Sequence, residues 1–160
     1  MSAMAELELT RSADDRRRYE VEGVGALRFA GAFSRRATAE AGGASWSFDG
    51  RGLWQRTIQA SDAAGTVVGS FDRRSWGRGG KLRWNGRELE LRPASRWKDR
   101  YALVEGEDEL AILEGKGWGK RPVKLSVGDP ATTEPGLLLF AAYLVRRFAE
   151  DTASAAAATT

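Results

Sequence analysis

The stretch that decides the fold lies near the C-terminus and reads EPGLLLFAAYLVRRF, from Glu134 to Phe148. It contains ten uncharged, mostly large apolar residues between Gly136 and Val145. A helix that crosses a bilayer needs about 20 such residues, and a run of about 10 to 14 is more typical of a buried core helix. A helix that is apolar all round is enclosed by protein or lipid. We therefore predict a buried core helix, with a membrane-associated tail and a partner-binding helix as the alternatives.

The residues at both ends of this run are typical of helix termini. Thr133 or Glu134 can cap the helix, and Pro135 suits its first turn. Arg146 and Arg147 lie near the negative end of the helix dipole. This pattern predicts a helix over residues 134–150. The remaining segment, 151–160, has no apolar periodicity, and we expect a disordered tail there.

Upstream of the helix, from Tyr19 to Val127, apolar and polar residues alternate in short segments between Gly, Asn and Asp signals. This alternation is typical of antiparallel strands. Residues 1–18 form a charged arm in which AELELT would add one strand. The eleven predicted strands are YEVEGV, ALRFAGAF, RRATAEA, ASWSF, LWQRTIQA, TVVGSFDR, KLRWN, RELELRP, DRYALVEG, ELAILEG and RPVKLSV.

The hairpin KLRWNGRELEL has the most definite register, because Asn85-Gly86 is a two-residue type I′ turn signal. Counting outward from the turn pairs Trp84 with Arg87, Arg83 with Glu88, Leu82 with Leu89 and Lys81 with Glu90. Leu82 and Leu89 then face the core. The oppositely charged pairs, Arg83 with Glu88 and Lys81 with Glu90, lie on the other face.

About eleven antiparallel strands followed by one all-round apolar helix predict a mainly β fold. Specifically, we expect a closed antiparallel β-barrel of about 11 to 12 strands around a single buried C-terminal helix. The helix over 134–150 would be about 25 Å long, which is similar to a strand of seven or eight residues. The barrel domain is predicted to cover residues 19–150.

Three segments resemble the superfamily of tubby C-terminal domains, phospholipid scramblases and LURP-one-related proteins, and the small bacterial members in particular. They are WQRTIQASDAAGTVVGSF, GGKLRWNGRELELRPASRWKDRYALVEGEDELAIL and the terminal EPGLLLFAAYLVRRF. The resemblance implies a twelve-stranded barrel around a C-terminal helix, which leaves one strand beyond the eleven. For some members it implies binding of phosphoinositides or other anionic phospholipids. No headgroup-binding motif of the family matches here residue by residue.

The composition argues against the commonest kinds of catalysis. With neither cysteine nor histidine in its 160 residues, the chain lacks thiol nucleophiles, thiolate metal sites and the commonest general base. We therefore expect no enzyme, no catalytic residue, no metal site and no cofactor. The N-terminus lacks the apolar stretch of a secretory signal, so we expect a cytoplasmic protein, peripheral at the membrane where it binds lipid.

A basic zone in the middle of the chain indicates an anionic partner. Residues 51–100 contain 12 basic and 5 acidic side chains. Within them, FDRRSWGRGGK places basic residues around a tryptophan in a glycine-rich loop. Such a loop can contact phospholipid headgroups, since basic side chains are attracted to anionic membranes and tryptophan suits the interface. The predicted lipid-contacting residues are Arg73, Arg74, Trp76, Arg78 and Lys81.

The sequence also allows other interpretations. A solvated hairpin loop is the alternative for the basic segment. A structural or protein-interaction domain and a small-ligand-binding barrel are the alternatives for the whole chain. Pairs such as Arg83-Trp84 would suit nucleic acid, yet alternation places Trp84 inward, so we do not favour nucleic-acid binding. The acidic turn EGEDE and the segment GKGWGKR lack the spacing of calcium and phosphate loops.

Overall fold

A computed structural model describes residues 5–31, 36–51, 57–73, 79–95, 99–115, 123–128 and 133–158. Twelve strands and one helix make up this described part. The elements are β1 (Ala5–Arg11), β2 (Arg18–Val21), β3 (Gly25–Phe29), β4 (Ala37–Ala41), β5 (Ala44–Arg51), β6 (Thr57–Asp62), β7 (Val67–Arg73), β8 (Gly80–Trp84), β9 (Arg87–Pro93), β10 (Asp99–Glu105), β11 (Asp108–Gly115), β12 (Val123–Val127) and α1 (Pro135–Ala158).

The strands form one closed antiparallel barrel in which each strand pairs with the next and β12 pairs with β1. Strand β1 closes the barrel, since Ala5–Leu9 pair with β12 and Leu9–Arg11 pair with β2. The predicted closed barrel is therefore confirmed. Its twelfth strand comes from the N-terminal arm, at the AELELT segment.

The hairpin of β8 and β9 has the register that the Asn85-Gly86 signal predicts. Trp84 lies opposite Arg87 and Lys81 lies opposite Glu90. Asn85 has a φ of 47° and Gly86 a φ of 80°, the left-handed conformation that a type I′ turn requires at both positions.

The helix α1 lies inside the barrel. Every residue from Leu139 to Val145 is fully buried, whichever direction its side chain takes from the axis. The helix contacts β3, β4 and β5 on one side and β10, β11 and β12 on the other. The predicted burial of Leu138, Phe140 and Leu144 is confirmed, at exposures of 3%, 0% and 0%.

The helix continues to Ala158, eight residues beyond the predicted end at Glu150, so residues 151–158 of the expected tail are helical. The lack of apolar periodicity predicts that these residues do not pack against the barrel. It does not prevent them from forming a helix. Alanine has the most favourable helix propensity of any residue, and this stretch is rich in it.

A pair of tryptophans meets the helix where it enters the barrel. The rings of Trp46 and Trp84 lie 5.9 Å apart. A Cβ atom built on Gly136 would lie 2.6 Å from Cζ2 of Trp84 and 2.7 Å from Cζ2 of Trp46. The rings therefore occupy the space that any side chain at this position would need. Trp54, which alternation also placed inward, lies outside the described residues.

Arg87 connects the barrel to the start of the helix. Its guanidinium donates two hydrogen bonds to Glu105, at 2.8 and 3.0 Å, and lies 3.8 Å from Glu134. The hydrogen bonds from Arg87 hold the pKa of Glu105 below its ordinary value of 4.5. This partly buried ion pair therefore joins β9 to β10 next to the start of α1.

Replacing Leu144 with aspartate should abolish folding. Burial of an unpaired charge destabilises a protein by several kcal/mol, against a total stability of about 5 to 15 kcal/mol. Circular dichroism melting would measure the loss, with Val67→Asp as the control because Val67 is 51% exposed. A Leu144→Asp protein that melts within a few degrees of wild type would refute the enclosed helix.

Replacing Gly136 with alanine should destabilise the protein by about 1 to 3 kcal/mol, because the added methyl group overpacks the two tryptophans. Gly128→Ala is the matched control, since a Cβ there would lie 3.5 Å from its nearest neighbour, the Leu110 carbonyl oxygen. Urea unfolding would compare the two variants. Equal stability of both would show that the tryptophan contact with the helix is loose.

The Arg87–Glu105 pair should give stability a defined pH dependence. The pKa of Glu105 is lowered in the folded protein, so its contribution is present above about pH 4.5 and is lost as the pH falls through the lowered pKa. Glu105→Gln should therefore lower the melting temperature most near pH 7, and the difference from wild type should vanish in acid. Glu88→Gln is the control, because Glu88 is 80% exposed. A difference for Glu105→Gln that stays constant with pH would contradict this role.

Candidate anionic-surface binding site

The two ends of the barrel differ in how the chain connects the strands. The helix-entry end is the end at which Pro135 lies, and short turns join β2 to β3, β4 to β5, β6 to β7, β8 to β9 and β10 to β11 there. The helix-exit end is the opposite end, where Phe148 lies against Phe71 and Tyr101. The other ends of the strands lie at the helix-exit end, because the strands alternate in direction.

The predicted lipid-contacting segment belongs to the helix-exit end. Arg73 ends β7 and Lys81 is the second residue of β8, so both lie near this end. Arg74, Trp76 and Arg78 fall in the connection between these strands, outside the described residues.

Arg73 is exposed and stays close to the end of the buried part of the helix. Its guanidinium carbon lies 5.5 Å from the centre of the Phe148 ring, which is a cation–π distance. Arg73 therefore contacts the helix as well as adding positive charge to this end. A variant that tests surface charge alone should leave Arg73 in place.

Lys81 is exposed on the outer face of the barrel between two carboxylates. It lies opposite Asp72 in β7 and opposite Glu90 in β9. Opposite charges on neighbouring strands attract each other, so these two carboxylates offset much of the positive charge of Lys81. We rank Lys81 below the arginines as a contact for an anionic surface.

Two further arginines that the site prediction omitted lie where the helix leaves the barrel. Arg146 donates a hydrogen bond of 2.7 Å to the hydroxyl of Tyr19, and Arg147, only 5% exposed, donates one of 3.3 Å to the hydroxyl of Tyr143. The sequence marked this pair only as favourable partners of the helix dipole. Burial makes Arg147 a part of the core rather than a contact for a ligand.

Three more arginines line the helix-exit end on the side of β2 to β4. Arg28 lies 3.1 Å from Asp15, Arg36 lies 3.2 Å from Asp49, and Arg17 donates a hydrogen bond to the carbonyl oxygen of Ala30. A hydrogen bond from the backbone amide of Arg17 lowers the pKa of Asp15, and Arg28 lowers it further. These arginines add positive charge that the sequence analysis had not assigned to a site.

Four of the six connections at the helix-exit end, those that follow β5, β7, β9 and β11, are strongly biased in sequence, whereas the connection 12–17 contains two aspartates and two arginines. The connections 52–56, 74–78, 96–98 and 116–122 lie outside the described residues, but the strands that flank them place their ends at the helix-exit end. Together they contain eight basic residues, no acidic residue and four of the six tryptophans. The turns 22–24, 42–43, 63–66, 85–86 and 106–107, at the helix-entry end, contain no basic residue and two glutamates.

Of these four connections, only 74–78 was predicted from the sequence to contact lipid. Trp54 was predicted to face the core, and GKGWGKR lacks the pattern of a phosphate loop. The missing signal was the order of the connections along the chain. In an up-and-down barrel every second connection lies at the same end, so the four segments can be compared as a group.

No helix within the described ranges is both long and apolar enough to cross a membrane. Among the described side chains, no group of three or more acidic residues is arranged to hold a metal ion. Comparison of the chain with protein-family models, with curated proteins and with solved structures gave no match.

Proposed function

We propose that the protein is a non-enzymatic, cytoplasmic module that binds anionic phospholipid surfaces through the helix-exit end of its barrel. The observation that carries this proposal is the unequal distribution of charge and tryptophan between the two ends. Basic residues and tryptophans are concentrated in four of the six connections of one end, whereas the turns between strands at the other end carry only acidic charge.

The chemistry of these connections suits a membrane surface. Each lysine or arginine near an anionic bilayer contributes about 1 kcal/mol to binding, and tryptophan favours the depth of the headgroups. Four connections can act together, so weak individual contacts add up. Arg73, whose guanidinium lies over the ring of Phe148, would contact the membrane surface next to the connection 74–78.

The distribution of charge also predicts an orientation. The basic helix-exit end would face the membrane, and the acidic turns of the helix-entry end would be repelled from it. The axis of α1 would then be roughly perpendicular to the membrane plane.

Of the alternatives, a small-ligand-binding barrel fits less well. In comparable barrels the ligand occupies the interior. Here the side chains of α1 fill that space, and the ring of Phe140 lies 5.0 Å from Phe48 and 5.8 Å from Trp84. A protein-interaction domain stays compatible with lipid binding, since the outer face of the barrel is separate from its ends.

The proposal predicts that the double variant Arg74→Glu/Arg78→Glu binds anionic vesicles at least about tenfold more weakly than wild type, because two attractive charges become repulsive. Sedimentation with vesicles of phosphatidylcholine, with and without phosphatidylglycerol, would measure this over a salt series. Vesicles of phosphatidylcholine alone should bind neither protein. Thermal unfolding of the variant should be measured alongside, so that weaker binding is not confused with a loss of folding.

Arg78→Glu and Arg83→Glu form a matched pair of single reversals. Arg83 is 71% exposed and lies next to Trp84, near the helix-entry end, so its reversal should weaken vesicle binding less than about twofold. Equal weakening by the two reversals would show that net charge alone, rather than the helix-exit end, governs binding. If wild-type protein does not sediment with anionic vesicles even at low ionic strength, where screening is weakest, the proposal is wrong.

A further inference from the structure

A continuous groove runs along the outer face of β2 to β5, parallel to the strands. It is made of three adjoining cavities of about 720, 210 and 460 Å³, from the helix-entry end to the helix-exit end. Ala26 and Glu40 line both the first and the middle cavity, and Arg28 and Thr38 line both the middle and the last. The three cavities therefore form one surface feature.

The floor of the groove is made of small side chains. Ala26 lies between Glu20 and Glu40 in the register of the sheet, and Thr38 lies opposite Ser47. The hydroxyl groups of Thr38, Ser45 and Ser47 make no hydrogen bond to other protein atoms within the described ranges. The floor is thus flat and lined with hydroxyl groups that can bind a polar ligand.

The groove is acidic near the helix-entry end. Glu20 and Glu40 both bind the guanidinium of Arg18, at 3.0 and 2.8 Å, which leaves one negative charge in excess. Glu22 is exposed and makes no ion pair or hydrogen bond with any other described residue. This half of the groove therefore favours a cationic group.

The other half of the groove, near the helix-exit end, is basic. Arg17, Arg28 and Arg36 outnumber the two carboxylates Asp15 and Asp49. Arg28 pairs with Asp15 through its Nε, and no hydrogen bond joins its two terminal nitrogens to a described residue. A carboxylate could bind these nitrogens side by side, as guanidinium groups commonly do.

We propose that this groove binds an extended polypeptide segment of a partner protein, with a lysine or arginine beside Glu22 and Glu40 and an aspartate or glutamate beside Arg28 and Arg36. Arg36, which directly precedes β4, and Glu40 in β4 are four residues apart, about 13 Å in an extended chain. An extended peptide has the same rise per residue, so two of its residues that are four apart face the groove with the same spacing. The flat floor leaves room for its backbone, and the hydroxyl groups offer it hydrogen bonds.

This inference does not rest on the membrane proposal, although the basic half of the groove adjoins the helix-exit end. A phospholipid headgroup with a net negative charge would use the basic half but would be repelled by the acidic half. The two binding events can therefore be separated by variants of the acidic half.

The test uses fluorescein-labelled peptides of seven residues and measures fluorescence anisotropy with the full chain. The test peptides are threonine-rich and carry one lysine and one glutamate four positions apart, in either order. We expect saturable binding of at least one of them, about fivefold tighter than a peptide of the same composition with its charges adjacent, since the latter forms only one of two charge pairs. Peptides with two lysines or two glutamates should also bind more weakly.

Variants locate the site. Ser47→Trp fills the floor and should abolish peptide binding, whereas Ser70→Trp, on the outer face of β7 and outside the groove, should not affect it. Glu22→Lys should weaken peptide binding about threefold or more and leave anionic vesicle binding undiminished. Glu22 lies in an exposed turn, so this variant tests the site even if the tryptophan variants fold poorly.

Three results would overturn the inference. The first is no binding of either test peptide at millimolar concentration. The second is equal binding to wild type and to the Glu22→Lys and Ser47→Trp variants. The third is a preference for the peptide with two glutamates, which would reduce the groove to an anion site and leave the acidic half without a role.

Discussion

The enclosure of an all-round apolar helix by a closed barrel is the constraint on which the rest of this structure depends. The residues from Leu139 to Val145 have no polar face, so only complete enclosure removes their apolar surface from water. The barrel in turn needs the helix, because a ring of twelve strands leaves an interior that its own side chains do not fill. Closure also removes the exposed strand edges that promote aggregation.

This arrangement restricts where the protein can bind a partner. The interior is occupied by helix side chains such as Phe140 and Tyr143, which pack against Phe48. Binding is left to the two ends and the outer face. The strands alternate in direction, so an up-and-down barrel sends its connections alternately to one end and the other. A chain of this topology can therefore give its ends opposite chemistry by biasing every second connection.

The polar outer face follows different rules from the core. Its ion pairs, such as those from Arg18 to Glu20 and Glu40, are exposed and contribute little to stability. The residues of this face can therefore be selected for binding with small effects on folding. In contrast, Arg87 and Gly136 lie at the helix entry, where partial burial and tight packing connect each side chain to the stability of the whole barrel.

The sequence by itself determined the features that depend on local patterns: the apolar helix, the register around Asn85-Gly86 and the barrel class. It pointed to the basic segment at Arg73 because charge and glycine are visible residue by residue. The role of β1 in closing the barrel and the burial of Arg147 were decided only by the tertiary structure. The tertiary structure alone also shows that the cavities on β2 to β5 adjoin one another and form one groove. The physical reason is distance along the chain, since β1 meets β12, and the helix meets Tyr19, across more than a hundred residues that no local periodicity connects.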